Sequence, residues 1–308
     1  MDAVPSEPRA VIDRAGERLV RVGDLEICCE ELGDPGGEPM LLVMGLGAQM
    51  IYWDDGFCKL LGERGYRLIR FDNRDVGRST CVRAPVPGRV AMLLGTGRPA
   101  YRLDDLADDA VGVLDAFGID RAHVVGASMG GMIAQVVGYR HPHRVSSLAL
   151  IMTHSGRRTV AMPTRRALAA LLSRPARSRD ELVEAMVRAF RVIGSPAYPF
   201  DEERFREMAG RSYDRGYNPA GSARQLHAIT ASGDRTRRLR EITAPTVVVH
   251  GDSDPLVRPA GGRQIVRTIP GARLVSIPGM GHDLPEQVWP RIVDAVDRNA
   301  ARAPVRSH

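Results

Sequence analysis

Ser128 sits in Gly126-Ala127-Ser128-Met129-Gly130, a G-x-S-x-G spacing. The apolar run His123–Val125 precedes it, and a segment of helical pattern over Met129–Tyr139 follows it. A serine on a sharp strand-to-helix turn has its hydroxyl thrust clear of the sheet, beside the free N–H groups of a helix start. Such a turn needs small residues around the serine, and Gly126, Gly130 and Gly131 supply them. The chemistry this suits is nucleophilic attack, with negative charge developing next to the helix N-terminus.

A serine hydroxyl needs a base. Of eight histidines, His282 lies in Gly279-Met280-Gly281-His282, just after the apolar stretch Arg273–Ile277. His123 and His250 fall within or at the end of strands. His141, His143 and His154 fall before the central helical region, His227 inside it, and His308 at the terminus. Only His282 has the place expected in the chain order serine, acid, histidine. The acid belongs on the loop after the strand Thr246–His250, where Asp252 and Asp254 are both available. Asp254 is the expected acid. Asp252 is the alternative, with a turn-capping role otherwise. The acid would hold the imidazole tautomer and stabilise the imidazolium.

Attack on a carbonyl also needs donors for the oxyanion. The backbone N–H of Met129, next after the serine, is one expected donor. The glycine-flanked Met44-Gly45-Leu46-Gly47, after the strand Met40–Met44, supplies the other through Leu46 N–H. No metal or cofactor is called for. The loop 72–79, Asp-Asn-Arg-Asp-Val-Gly-Arg-Ser, is expected to be a structural turn tying loops near the site.

The elements that must position these residues alternate. Glu17–Val22 and Leu25–Glu31 read as a hairpin across Gly23-Asp24. Met40–Met44 and Tyr66–Phe71 read as buried strands, with a helix over 53–64 between them. Leu103–Phe117 has apolar residues at helical spacing, with Asp104, Asp105, Asp108 and Asp109 off that face. Val145–Met152 is the next strand. The expected fold class is therefore α/β, a mostly parallel central sheet flanked by helices. Alternation stops over 156–240, where helical stretches appear around Ala167–Leu172, Asp180–Ile193 and Glu202–Tyr213, with breaks at 194–199 and 216–221. This reads as a helical cap inserted into a core of residues 1–155 and 241–308. Residues from about 301 onward look frayed. Phe190, Tyr198, Phe200 and Phe205 would line an acyl pocket or, more ordinarily, pack helices.

The 308 residues are 44% hydrophobic and 26% charged, ordinary for a globular chain. No apolar run reaches the length of a membrane span. The opening residues carry Glu7, Asp13 and Glu17 and lack an apolar h-region, so a cytoplasmic location is expected. The four cysteines form no CxxC pair, which removes zinc-ribbon and thioredoxin-like readings. Net charge is +6, with Lys59 the single lysine. Residues 156–243 hold 18 Arg against 10 Asp and Glu, a balance of 18 − 10 = +8. The remainder holds 25 basic and 27 acidic residues, a balance of −2. A basic central region would attract anionic substrates or lipid headgroups, or be a solvated arginine bias. No nucleic-acid motif is present.

Taken in order, LLVMGLG, RFDNRDVGRS, VVGASMGGM, VVVHGDSDPLV and IPGMGHDLP resemble the α/β-hydrolase superfamily over nearly the whole chain. More narrowly they resemble actinobacterial esterases of the aclacinomycin methylesterase and mycobacterial LipG-like group, and VMGLGAQM, IGSPAY and YDRGYNPAG resemble the LipG-like members in particular. That resemblance implies an esterase with Ser128, Asp254 and His282 as triad, and Leu46 and Met129 as donors. It implies substrates among small-molecule and lipid esters, including phospholipids, thioesters and polyketide methyl esters. Met44-Gly45 stands where His-Gly is common. Backbone donors do not depend on that histidine. Carbon–carbon hydrolysis, perhydrolysis and acyl transfer run on the same triad and stay open, as does non-catalytic ligand binding.

Overall fold

In a computed structural model, residues 16–160 and 162–304 are described. The expectations for the opening residues 1–15 and for the last four residues lie outside that range. Eight strands form one sheet in the order β1-β2-β4-β3-β5-β6-β7-β8. They are β1 (Glu17–Val22), β2 (Leu25–Gly33), β3 (Glu38–Val43), β4 (Tyr66–Phe71), β5 (Ala122–Ala127), β6 (Val145–Ile151), β7 (Thr246–Gly251) and β8 (Arg273–Ile277). β1 and β2 are antiparallel to their neighbours, joined across a two-residue turn with Val22 opposite Leu25. Gly23 there takes a left-handed φ of 57° that a side chain would resist. From β4 to β8 every pairing is parallel.

Parallel strands are covered on both faces, so their sequences are apolar almost throughout. β5 and β7 are buried at every residue. One face packs against α3 (Leu103–Ala116) and α4 (Met129–Arg140) through residues such as Leu41, Val124, Leu106 and Ile133. The other packs against α1 (Asp55–Gly62) and α11 (Trp289–Ala300) through Leu42, Val125, Phe57 and Ile292. Cys28 and Cys29, adjacent on β2, turn to opposite sides, into separate clusters.

α3 follows its spacing with one exception. Asp109, expected off the buried face, is 4% exposed, because Arg74 clamps it with two bonds of 2.5 and 2.6 Å. A short helix, α2 (Arg89–Leu94), and α10 (Ala260–Thr268) complete the core side. Neither was anticipated.

Between β6 and β7 come α5 (Arg165–Leu171), α6 (Arg179–Ile193), α7 (Glu202–Gly216), α8 (Pro219–Ser232) and α9 (Thr236–Leu239), without a strand among the described residues. Residues 216–221, read from sequence as a break, are largely a start. Asn218 accepts from Gly221 N at 3.1 Å and Pro219 opens α8, so the Pro and Gly of this stretch lie in the first turn. Phe190, Phe200 and Phe205 stack on one another at 4.4 and 5.0 Å, which is helix packing.

Candidate active site

Ser128 caps β5 and opens α4 with φ 54° and ψ −117°. A non-glycine residue at positive φ is strained unless its surroundings hold it. Here Ser128 N donates to Ile151 O at 2.9 Å, and Thr153 Oγ1 donates to Ser128 O at 2.7 Å. The glycines allow close approach: a Cβ on Gly126 would strike the Gly130 carbonyl, and one on Gly130 would strike the Val43 carbonyl.

His282, on the loop after β8, faces Ser128, with Nε2 3.0 Å from Oγ. Its Nδ1 lies 2.7 Å from Asp254 Oδ2. Asp254 is 3% exposed, and its other oxygen accepts from Leu256 N and Val257 N at 2.9 and 2.8 Å. Those amides aim the carboxylate at the imidazole. Asp252 points elsewhere: exposed, it accepts from Gly279 N at 2.7 Å and from Ser253 Oγ at 2.9 Å. It caps the loop and does not touch His282.

The second histidine near Asp254 is His250, whose Nε2 donates to Val257 O at 2.8 Å and sits 3.7 Å from Asp254 Oδ2. Burial holds its imidazole below the usual range. Burial, with the charge of Arg235, pushes His154 down to about 3.

The loop after β3 runs against the serine: a Cβ on Gly45 would lie 3.2 Å from Ser128 Cβ. Leu46 is thus on the loop beside Ser128. Met129, as first helical residue, has an N–H with no intrahelical acceptor. Sequence reasoning missed what holds this loop. Asn73 Nδ2 donates to Met44 O at 3.0 Å. Gly47 N donates at 2.8 Å to Oε1 of Gln225 on α8, and Gln225 Nε2 donates to Arg74 O at 2.9 Å. Gln225 is fully buried. No sequence signal marks a glutamine 178 residues from its partner.

The 72–79 loop has the structural role expected of it. Asp72 Oδ1 accepts from Met50 N at 2.7 Å. Arg215 of α7 bridges Asp72 at 3.0 Å and Glu17 at 2.9 Å. Burial would raise the Glu17 carboxyl, but Arg215 and Arg78 outweigh it and hold it below the usual range. Asp75 is gripped by both arms of Arg224 of α8, at 2.8 and 2.7 Å, and by the Tyr101 hydroxyl at 2.6 Å. At the other end, His282 N donates to Ile193 O of α6 at 2.7 Å, and Ser195 accepts from Gly281 N while donating to Asp283. Burial pushes the Asp283 carboxyl up.

Known proteins resemble this chain in sequence and in fold. A rhodomycin D methylesterase, DauP, from a Streptomyces species is 30% identical over 94% of this chain and 99% of its own length. Among solved structures, the enol-lactonase of Burkholderia xenovorans superposes with a TM-score of 0.72 at 24% identity, covering 92% of this chain and 100% of that one. A meta-cleavage product hydrolase of Pseudomonas fluorescens gives 0.74 at 20% identity, covering 91% and 96%. Those two likenesses are of fold. The family model for the alpha/beta hydrolase fold matches residues 38–287, and the chain belongs to that family.

Proposed function

We propose that this protein is a serine carboxylic-ester hydrolase. The observation that carries the reading is the continuous relay Ser128 Oγ–His282–Asp254, at 3.0 and 2.7 Å. His282 takes the Ser128 proton as Oγ attacks the ester carbonyl. Leu46 and Met129 amides receive the oxyanion. The tetrahedral centre collapses, the alcohol leaves with the proton from His282, and an acyl-Ser128 ester remains. Water, deprotonated by His282, attacks that ester and frees the acid. Asp254 keeps the imidazole in the required tautomer throughout. Residues 156–240 act as a cap over this centre, on a core of 1–155 and 241–308. The substrate is a small-molecule or lipid ester. The methylesterase relative, aligned over nearly its whole length, supports ester chemistry, with methyl esters a first class to assay.

The test is labelling by a fluorophosphonate together with turnover of p-nitrophenyl esters from acetate to palmitate. Wild type should label and turn over, and Ser128→Ala should lose about a millionfold in kcat with no label. A wild type that neither labels nor turns over any ester overturns the reading. Turnover of a vinylogous diketone alone would replace it with carbon–carbon hydrolysis.

A further inference from the structure

The α2 helix presents apolar side chains to solvent. Val86 just before it is 57% exposed, Val90 69%, Leu93 40% and Leu94 54%. No residue of α2 is buried. A helix whose apolar side faces water is unusual unless something covers it. α2 is nonetheless well seated: Met92 O accepts from Thr230 Oγ1 of α8 at 2.7 Å, and Thr96 O accepts from His227 Nε2 at 2.9 Å. Arg158, on the stretch that follows β6, donates to Leu94 O and brings that stretch alongside, with Met162 54% exposed four residues on.

Charge says what covers this face. The stretch that carries it, 76–103, contains no Asp or Glu, and exposed Asp105 lines a depression with Arg98 beside it. Arg83, Arg89, Arg98 and Arg157 are exposed and make no ion pair among the described residues. A second copy would set these arginines against their own counterparts, since a two-fold interface pairs a patch with itself. Exposed aliphatic side chains among arginines that outnumber the acid beside them instead match a bilayer surface: acyl chains accept the first and anionic headgroups the second.

The face also lies at the catalytic end of the sheet. α2 follows the loop after β4, and 152–164 follows β6, as Ser128 follows β5 and Asp254 follows β7. Thr164 N donates to Pro255 O, next to Asp254, at 2.8 Å.

We propose that the face made by α2 with Arg157, Arg158 and Met162 docks the protein reversibly on an anionic lipid surface, presenting the site to esters held in that surface. This deepens the esterase reading by naming where its substrate resides, and its test is read without turnover. The full chain is sedimented with vesicles of phosphatidylglycerol and, separately, of phosphatidylcholine. Binding to the first and not the second, weakening with salt, is expected. Arg89→Ser with Arg98→Ser should weaken the partition about 30-fold, from roughly fivefold per arginine. Val90→Asp with Leu94→Asp should abolish it. Both double variants should keep wild-type hydrolysis of p-nitrophenyl acetate and wild-type Tm, since neither pair touches the site. Equal binding to both lipids, no binding to phosphatidylglycerol at low salt, or variants that bind like wild type would overturn the proposal. So would a wild-type dimer that Val90→Asp with Leu94→Asp turns into a monomer.

Discussion

The two halves of the helical region between β6 and β7 are attached to the core by different physics. α7 and α8 reach it through Arg215 and Arg224, whose side chains are 9% and 6% exposed, onto Asp72 and Asp75, which are fully buried. α5 and α6 bury little: Ala167 in the first, Val183 and Val187 in the second. The pair by which α6 meets α7, Glu184–Arg206, is solvated, with side chains 49% and 40% exposed. A buried pair that loses one partner strands a charge without water, whereas a solvated pair does not. The α7–α8 half is therefore a root, whereas α6 and the residues just after it are tied to the His282 loop by the Ile193 and Ser195 bonds.

The sharpest way to break this contrast is Asp75→Ala. It leaves the Arg224 guanidinium and the Tyr101 hydroxyl unpaired, and stability should fall by about 3–5 kcal/mol, seen as a Tm lower by about 10 °C. Next comes Gln225→Met, which keeps the volume and removes the acceptor for Gly47 N. With the Leu46 loop released, kcat should fall by about 10²-fold with KM little changed. Gln225→Glu, protonated in its buried site, should restore much of the loss.

pH addresses the core side. His250 and His154 have folded-state values depressed below the unfolded value near 6.5. The unfolded chain therefore binds more protons. Their stabilising contribution is complete above about 6.5 and declines as pH falls below it. A thermal melt should show Tm dropping from about pH 6.5 downward, with a shallower slope in His250→Gln. The smallest effect is expected of Glu184→Ala on α6, whose pair with Arg206 is solvated, at most about 1 kcal/mol. If it matched Asp75→Ala, the distinction between the two halves would fail.

The residues placed together around Ser128 were legible because each follows a strand whose apolar run is unmistakable, and because glycine-rich turns constrain what can follow. β3, β5 and β7 are buried on both faces, so their composition alone marks them. α2 was not legible, because its apolar residues obey no core. α8 was masked by Asn218-Pro219 and Gly221, which resemble a break in sequence and form a capped first turn in space. Asp109 and Gln225 escaped for a common reason. Their environment is set by a partner 35 and 178 residues away, and local periodicity carries no information about such pairs.

The wide spacing of the anchors also bears on how the chain is made. Asp75 precedes Arg224 by 149 residues, and Glu17 precedes Arg215 by 198. At roughly 5–20 residues per second of synthesis, the Asp75 carboxylate waits about 7–30 s for its guanidinium. During that interval Asp75 has Val82 N and the Tyr101 hydroxyl as donors but no counter-charge. The 72–79 loop gains its guanidinium partners only after the second half of the chain has emerged, so this end of the sheet is completed last.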